Sequence, residues 1–134
     1  MLTGGNVNDC TQFTAVMAQI RIARAGPGRP RVRPARIIAD KGYSTKAIRA
    51  WLRTHRIGAT IPERDDQIAG RRRRGRTGGR PHAFDPGLYR RRNVIERCFN
   101  RLKQWRAIAT RYDKLARHYQ AAVTLVSALL WINT

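Results

Sequence analysis

The sequence is short of acid. Only 8 of its 134 residues are Asp or Glu, against 28 Lys and Arg, which leaves a formal charge of +20. Lysine is scarce too, occurring only at Lys41, Lys46, Lys103 and Lys114, so nearly all the positive charge is arginine. Arginine stays charged and grips phosphate oxygens with a planar fork, which points to a polyanionic partner. GC-rich coding DNA accounts for part of the arginine count but not for the lack of acids. Cysteine is limited to Cys10 and Cys98, and His55, His82 and His118 are equally scattered. That spacing argues against a zinc site or a disulfide framework and favours a reducing compartment. Long apolar runs are missing as well. The most apolar stretch, residues 121–132, is too short to cross a bilayer and reads as a buried helix. Residues 1–5 are neither basic nor followed by an apolar core, so they do not read as a signal peptide. The expectation is a soluble, cytoplasmic chain with no membrane partner.

What is present fits one domain or a large piece of one, with an ordinary 42% hydrophobic content. Phe13, Val16, Met17 and Ile20 recur at helical spacing behind Asp9. A loop over residues 26–30 follows. The apolar run at residues 36–39 reads as a short buried strand ending at Asp40. Ser44 is placed to cap a helix whose apolar face carries Ala47, Ile48, Trp51 and Leu52. Gly58 should end that helix before a second strand at residues 59–61. Strand, helix, strand at this spacing predicts a parallel crossover and an α/β fold. Residues 63–87 hold few apolar side chains, and Arg71, Arg72, Arg73 and Arg74 run consecutively. This segment reads as a flexible basic loop, either merely solvated or serving as a phosphate-clamping arm. The expected organisation is a partial α/β core at 1–62, the basic loop at 63–87 and a helical region at 88–134. The last third is predicted helical from about 89 to 110 and again from 115 to 131. Trp51, Trp105 and Trp131 are expected in core or interface positions.

One segment carries candidate chemistry. Tyr89, Arg92, Glu96 and Lys103 fall at offsets 0, 3, 7 and 14, which share one face of a continuous helix at 3.6 residues per turn. A surface salt-bridge stripe would look the same.

The spacing Tyr-x2-Arg-x3-Glu-x6-Lys resembles the signature of DDE transposases of bacterial insertion sequences, and residues 91–106 and 109–114 resemble the insertion-sequence-five group. Residues 39–43, Ala-Asp-Lys-Gly-Tyr, resemble that family's second acidic motif. The opening at Leu2, Thr3, Gly4 and Gly5, with Asp9 and Phe13, resembles the stretch between its first and second acids. The resemblance covers essentially the whole chain. It implies the C-terminal portion of a ribonuclease H-like fold, lacking the first strands and ending in a long helical stretch. It also implies Asp40 and Glu96 as catalytic ligands of Mg²⁺ (or Mn²⁺), with Tyr89, Arg92 and Lys103 on DNA. The implied partners are transposon ends and target DNA, an N-terminal half of the transposase, and a second copy of the chain.

The family's first acid belongs on an opening strand well upstream of Asp40, whereas Asp9 falls in a loop-and-helix region. The expectation is therefore a transposase catalytic fragment that is inactive alone. The alternatives are a non-catalytic, arginine-rich DNA-binding protein or a decayed transposase remnant.

Overall fold

The computed structural model describes residue 3, residues 6–111 and residues 113–132. The opening at Leu2, Gly4 and Gly5, and Tyr112 of the 109–114 segment, lie outside the described residues. The chain divides into two compact units: an α/β unit, Asn8–Arg91, and a helical unit, Met1–Val7 with Arg92–Thr134.

In the α/β unit a 3-10 turn, Asp9–Gln12, leads into helix α1, Phe13–Ala18. The Asn8 side chain accepts the Cys10 amide at 3.1 Å and so starts the turn. An isolated antiparallel bridge between Ile22 and Arg31 closes the glycine- and proline-rich loop. Strand β1, Arg36–Ile38, then pairs in parallel with β2, Gly58–Thr60, through helix α2, Lys46–Thr54. The register joins Ile37 to Ala59 and Ile38 to Thr60. This is the parallel crossover that the apolar run, the helix and the second short run predict.

Two details differ from the sequence reading. The side chain that caps α2 is Thr45, which accepts the Ile48 amide at 3.2 Å, not Ser44. Ser44 is buried, and its hydroxyl is taken up by longer-range partners. Nor does Gly58 end the helix. The Ile57 amide donates to the Leu52 carbonyl at 2.9 Å and the Arg56 amide to the Arg53 carbonyl at 3.0 Å, a Schellman closure around Arg56. Its apolar contact is between Leu52 and Ile57, both buried in one cluster. Arg56 therefore holds a φ of 54°, where a side chain with a Cβ is strained. Arg56→Gly should raise stability by about 0.5–1 kcal/mol in urea unfolding. An unchanged or lowered midpoint would mean that the arginine side chain contributes more than its backbone strain costs.

The core of this unit is small: Phe13, Met17, Ile48, Leu52, Ile57 and Ile61, with Trp51, Tyr43 and Ile37 against its edge. Trp51 meets Phe13 edge-on at 5.4 Å and stacks on His55 at 3.8 Å, in line with its expected core position.

The segment predicted as a flexible loop is partly helical. Helix α3, Asp65–Arg73, precedes a 3-10 turn at Gly75–Gly78. Asp65 and Asp66 sit in the first turn of α3 and Arg71, Arg72 and Arg73 in its last, the order that complements the helix dipole. A short helix α4, Pro86–Arg90, ends the unit, capped by Asp85, whose Oδ1 accepts the Leu88 amide at 3.0 Å.

The helical unit contains α5, Asn93–Lys103, α6, Arg106–Ala109, and α7, Ala116–Ile132. The helix expected over 89–110 is thus three pieces, with a turn at Arg91 and Arg92 between α4 and α5. Leu102, Ile108 and Val126 are buried together, with Tyr119, Val123 and Leu130 against them. The Tyr119 hydroxyl donates to the Ile108 carbonyl at 3.2 Å. Positions 119, 123, 126 and 130 form one narrow stripe of α7. The buried helix expected at 121–132 is therefore only striped. Leu125 and Leu129 are exposed, and Trp131 is 85% exposed, because α5 and α6 cover one face only. Trp105 is also exposed. Among the described residues no helix is long and apolar enough to cross a membrane.

Candidate catalytic and nucleic-acid-binding residues

Asp40 lies two residues past the end of β1, after Ala39. Its backbone is extended, and Oδ1 accepts the Gly42 amide at 2.8 Å, so the carboxylate caps the 3-10 turn Lys41–Tyr43. The residue is exposed. A carboxylate just past the carboxyl end of a strand in a parallel pair occupies the place where α/β sheets present functional groups. Its negative charge and that of Asp9 reach Tyr43, whose phenol is pushed up by burial first and by these carboxylates second.

Ser44, at the end of Asp40's turn, opens a polar node that the sequence reading missed. The buried Ser44 hydroxyl donates to Gln67 Oε1 at 2.7 Å and accepts from Arg49 Nη2 at 2.8 Å. Arg49 also donates to the Ile61 carbonyl at 2.8 Å, and the Gln67 amide returns a bond to the Ser44 carbonyl. These bonds tie α2, β2 and α3 together. Burial lowers the pKa of Arg49, with Glu63 opposing. Beside the node, Arg71 forms an ion pair with Glu63, both side chains largely shielded from water. The hydrogen bond from Arg71 holds the Glu63 carboxyl below the usual glutamate range. A depressed carboxyl pKa stabilises the fold above the ordinary glutamate value. That contribution is lost as the pH falls through the folded-state value.

The four consecutive arginines separate. Arg71, Arg72 and Arg73 form the last turn of α3 and Arg74 is its C-cap, so the run is a helix end instead of a loose arm. Arg71 is engaged with Glu63, while Arg72 and Arg73 are exposed.

Tyr89 lies on α4 in the α/β unit, its ring 5.2 Å from Phe84. Arg92 is the N-cap of α5, Glu96 lies in its first turn and Lys103 is its last residue. Of the predicted residues, the structure brings Arg92 and Glu96 together as an exposed ion pair four residues apart. The four positions do not share one continuous helix, because Tyr89 precedes the turn at Arg91 and Arg92. Exposed pairs of this kind contribute only about 0.3–0.5 kcal/mol. The order here, cation before carboxylate, is also the weaker one on a helix. An arginine at a helix N-terminus further opposes the dipole. Helix stability alone therefore gives little reason for Arg92 at this position.

Asp40 and Glu96 belong to different units. Among the described residues no three of His, Cys, Asp and Glu lie together where they could hold a metal ion. The chemistry of the two predicted ligands still suits a hard divalent cation, since both are exposed carboxylates whose oxygens reach solvent. Cys10 and Cys98 are free thiols.

The chain has relatives. A protein named as a transposase for insertion sequence element IS402 of Burkholderia cepacia is 31% identical over 134 residues, covering 100% of this chain and 56% of the relative. One named for insertion sequence element IS6501 of Brucella ovis is 27% identical over 131 residues, covering 98% of this chain and 85% of that protein. The chain thus spans a little over half of the first relative and most of the second. No solved structure is a significant match. The family model described as the transposase DDE domain matches residues 1–131, and with these relatives it establishes that the chain belongs to the DDE transposases of bacterial insertion sequences.

Proposed function

We propose that this chain provides Asp40 and Glu96 to the active site of a transposase that cuts DNA at the ends of an insertion sequence and joins them to a target. The observation that carries this reading is Asp40, presented just past the carboxyl end of β1 with one oxygen fixed by Gly42. In this reading β1 and β2 belong to a ribonuclease H-like sheet, with α2 as their crossover helix. A further carboxylate comes from residues outside the chain. Asp40, Glu96 and that carboxylate would hold Mg²⁺ or Mn²⁺, which would supply charge stabilisation to the reacting phosphodiester. Arg92 steadies the Glu96 carboxylate and offers its guanidinium to a DNA phosphate. Lys103 and Tyr89 contact the DNA strand next to the reacting phosphodiester. Water attacks phosphorus, the bond to the 3′ oxygen breaks, and that oxygen takes a proton to leave as a 3′ hydroxyl. The same hydroxyl then attacks a target phosphodiester and displaces another 3′ oxygen. The chain works in the bacterial cytoplasm on nucleoid DNA, as a dimer holding two ends.

The test is cleavage of the element's own terminal DNA by this chain together with the segment encoded just upstream. A nick at the element boundary is expected with Mg²⁺ and none with a chelator. Boundary-specific cleavage that persists without divalent cations, or its complete absence, would overturn the reading. A non-catalytic DNA-binding protein would instead retain duplex binding and never nick.

A further inference from the structure

Residues of the α/β unit form a basic pocket that shares Ser44, Arg49 and Gln67 with the polar node after Asp40's turn. The cavity is about 270 Å³ and is walled by Lys46, Arg49, Arg53, Arg71, Arg74 and Arg80, with Glu63 the one carboxylate in its lining. Three of these cations, Lys46, Arg49 and Arg53, lie at spacings of three and four along α2, so they share a helix face. Arg71 and Arg74 come from the end of α3 in the same way. The chain then turns back: a Cβ at Gly78 would stand 2.3 Å from the Arg71 carbonyl, so only glycine allows this close approach. That approach brings Arg80 and His82 to the pocket wall. Glu63 is already matched by Arg71, and Arg49 is spent on Ser44 and the Ile61 carbonyl. Arg74 donates Nε to the Gly70 carbonyl at 3.1 Å, and among the described residues Lys46, Arg53 and Arg80 are left as mutually repelling charges around a concavity roomy enough for a phosphate group and several waters, each water taking roughly 30 Å³.

We propose that this pocket is a binding site for a backbone phosphate of DNA, made of groups other than Asp40 and Glu96. Its identification with DNA rests on the transposase reading, while its preference for a tetrahedral oxyanion rests on the cations alone. Arginine forks from two helices can hold such a group from two sides. His82 reports on the site from within. Burial first and the neighbouring Arg49 second keep its imidazole below the ordinary histidine value, and a bound anion would reverse that.

Two measurements on the full chain test this. In the first, duplex affinity is measured by fluorescence anisotropy for the wild type, for Arg53→Ala/Arg80→Ala, and for Arg21→Ala/Arg24→Ala, which removes the same charge from exposed positions outside the pocket. The pocket pair should weaken binding at least tenfold and lower the salt slope by about 2, against a loss of no more than about threefold for the control pair. Equal losses would mean a diffuse basic surface and would sink the proposal. The second needs no substitution, so it stands even where a variant fails to fold: the His82 imidazole is titrated by NMR with and without inorganic phosphate at matched ionic strength. An upward move of its midpoint with phosphate is expected, and an unmoved midpoint overturns the site. Phosphate binding combined with equal DNA losses would assign the pocket to free phosphate and reject the DNA backbone. Neither readout involves cleavage, so failure of the transposase reading and failure of this one are distinguishable.

Discussion

Glu96→Gln is expected to lower metal-dependent cleavage at element ends by a factor on the order of 10³ while leaving duplex affinity within about twofold. The estimate takes loss of one charged oxygen ligand as several kcal/mol of transition-state stabilisation, with each 1.36 kcal/mol worth a factor of about ten. The substitution is mild for the fold. Gln keeps an oxygen that can accept from Arg92, and the exposed ion pair it replaces is energetically small. Helix α5 is anchored through Leu102, not through Glu96. A fall in cleavage with unchanged circular dichroism and unchanged DNA binding therefore isolates chemistry. Cleavage that survives the change would remove Glu96 from the active site and leave the ion pair as its only role. Asp40→Asn makes a useful companion, since the amide oxygen can still accept the Gly42 N–H that shapes the turn.

Leu52→Ala should have the largest effect on stability, with a cost of about 3–4 kcal/mol in urea unfolding of the α/β unit. Leu52 is 1% exposed, and its neighbours in the cluster include Ile48, Ile57, Phe13 and Met17. It also holds the Schellman closure through its carbonyl and its contact with Ile57. Truncation would open a cavity in a core of only six buried apolar side chains and loosen the turn into β2. Against a typical stability of about 5–15 kcal/mol this is a large fraction. The Ile57 amide, which donates to the Leu52 carbonyl at 2.9 Å, should lose hydrogen-exchange protection in parallel. A cost below about 1 kcal/mol would show that the cluster closes without Leu52.

How much of this was legible in the sequence depended on whether the deciding interactions are local. The crossover from β1 through α2 to β2 was readable because the apolar run at 36–39 and the spacing of Ile48 and Leu52 fix it within a few residues. Helix α3 was not, since its sequence is rich in arginine and has little apolar face. It is held by Ser44 and Gln67, which are 23 residues apart, and by Arg71 pairing with Glu63. The choice of Thr45 over Ser44 as cap was equally hidden: the two are chemically alike, and only the partners of the buried hydroxyl separate them. The turn at Arg91 and Arg92 has neither glycine nor proline to announce it. The stripe on α7 follows from the one face that its neighbours cover, which apolar density alone does not reveal. Two local motifs single out Asp40 and, with Tyr89 and Lys103, the pair Arg92 and Glu96 as candidates, and the structure brings Arg92 beside Glu96. The grouping of Lys46, Arg49 and Arg53 on α2 with Arg71 and Arg74 went unread, because it depends on how α3 packs and not on local spacing.

Helix α7 leaves Leu125, Leu129, Trp131 and Ile132 open to water on a chain with a formal charge of +20. At low ionic strength the like charge keeps copies apart, but the screening length shrinks from about 10 Å at 0.1 M salt to about 3 Å at 1 M. Molar salt, the usual means of stripping nucleic acid from a basic protein, thus removes the repulsion that keeps this one dispersed while strengthening attraction between the exposed leucines and tryptophan. Handling has to respect both effects: nucleic acid is better removed by nuclease digestion at moderate salt than by a high-salt wash, which would clean the protein and precipitate it in the same step.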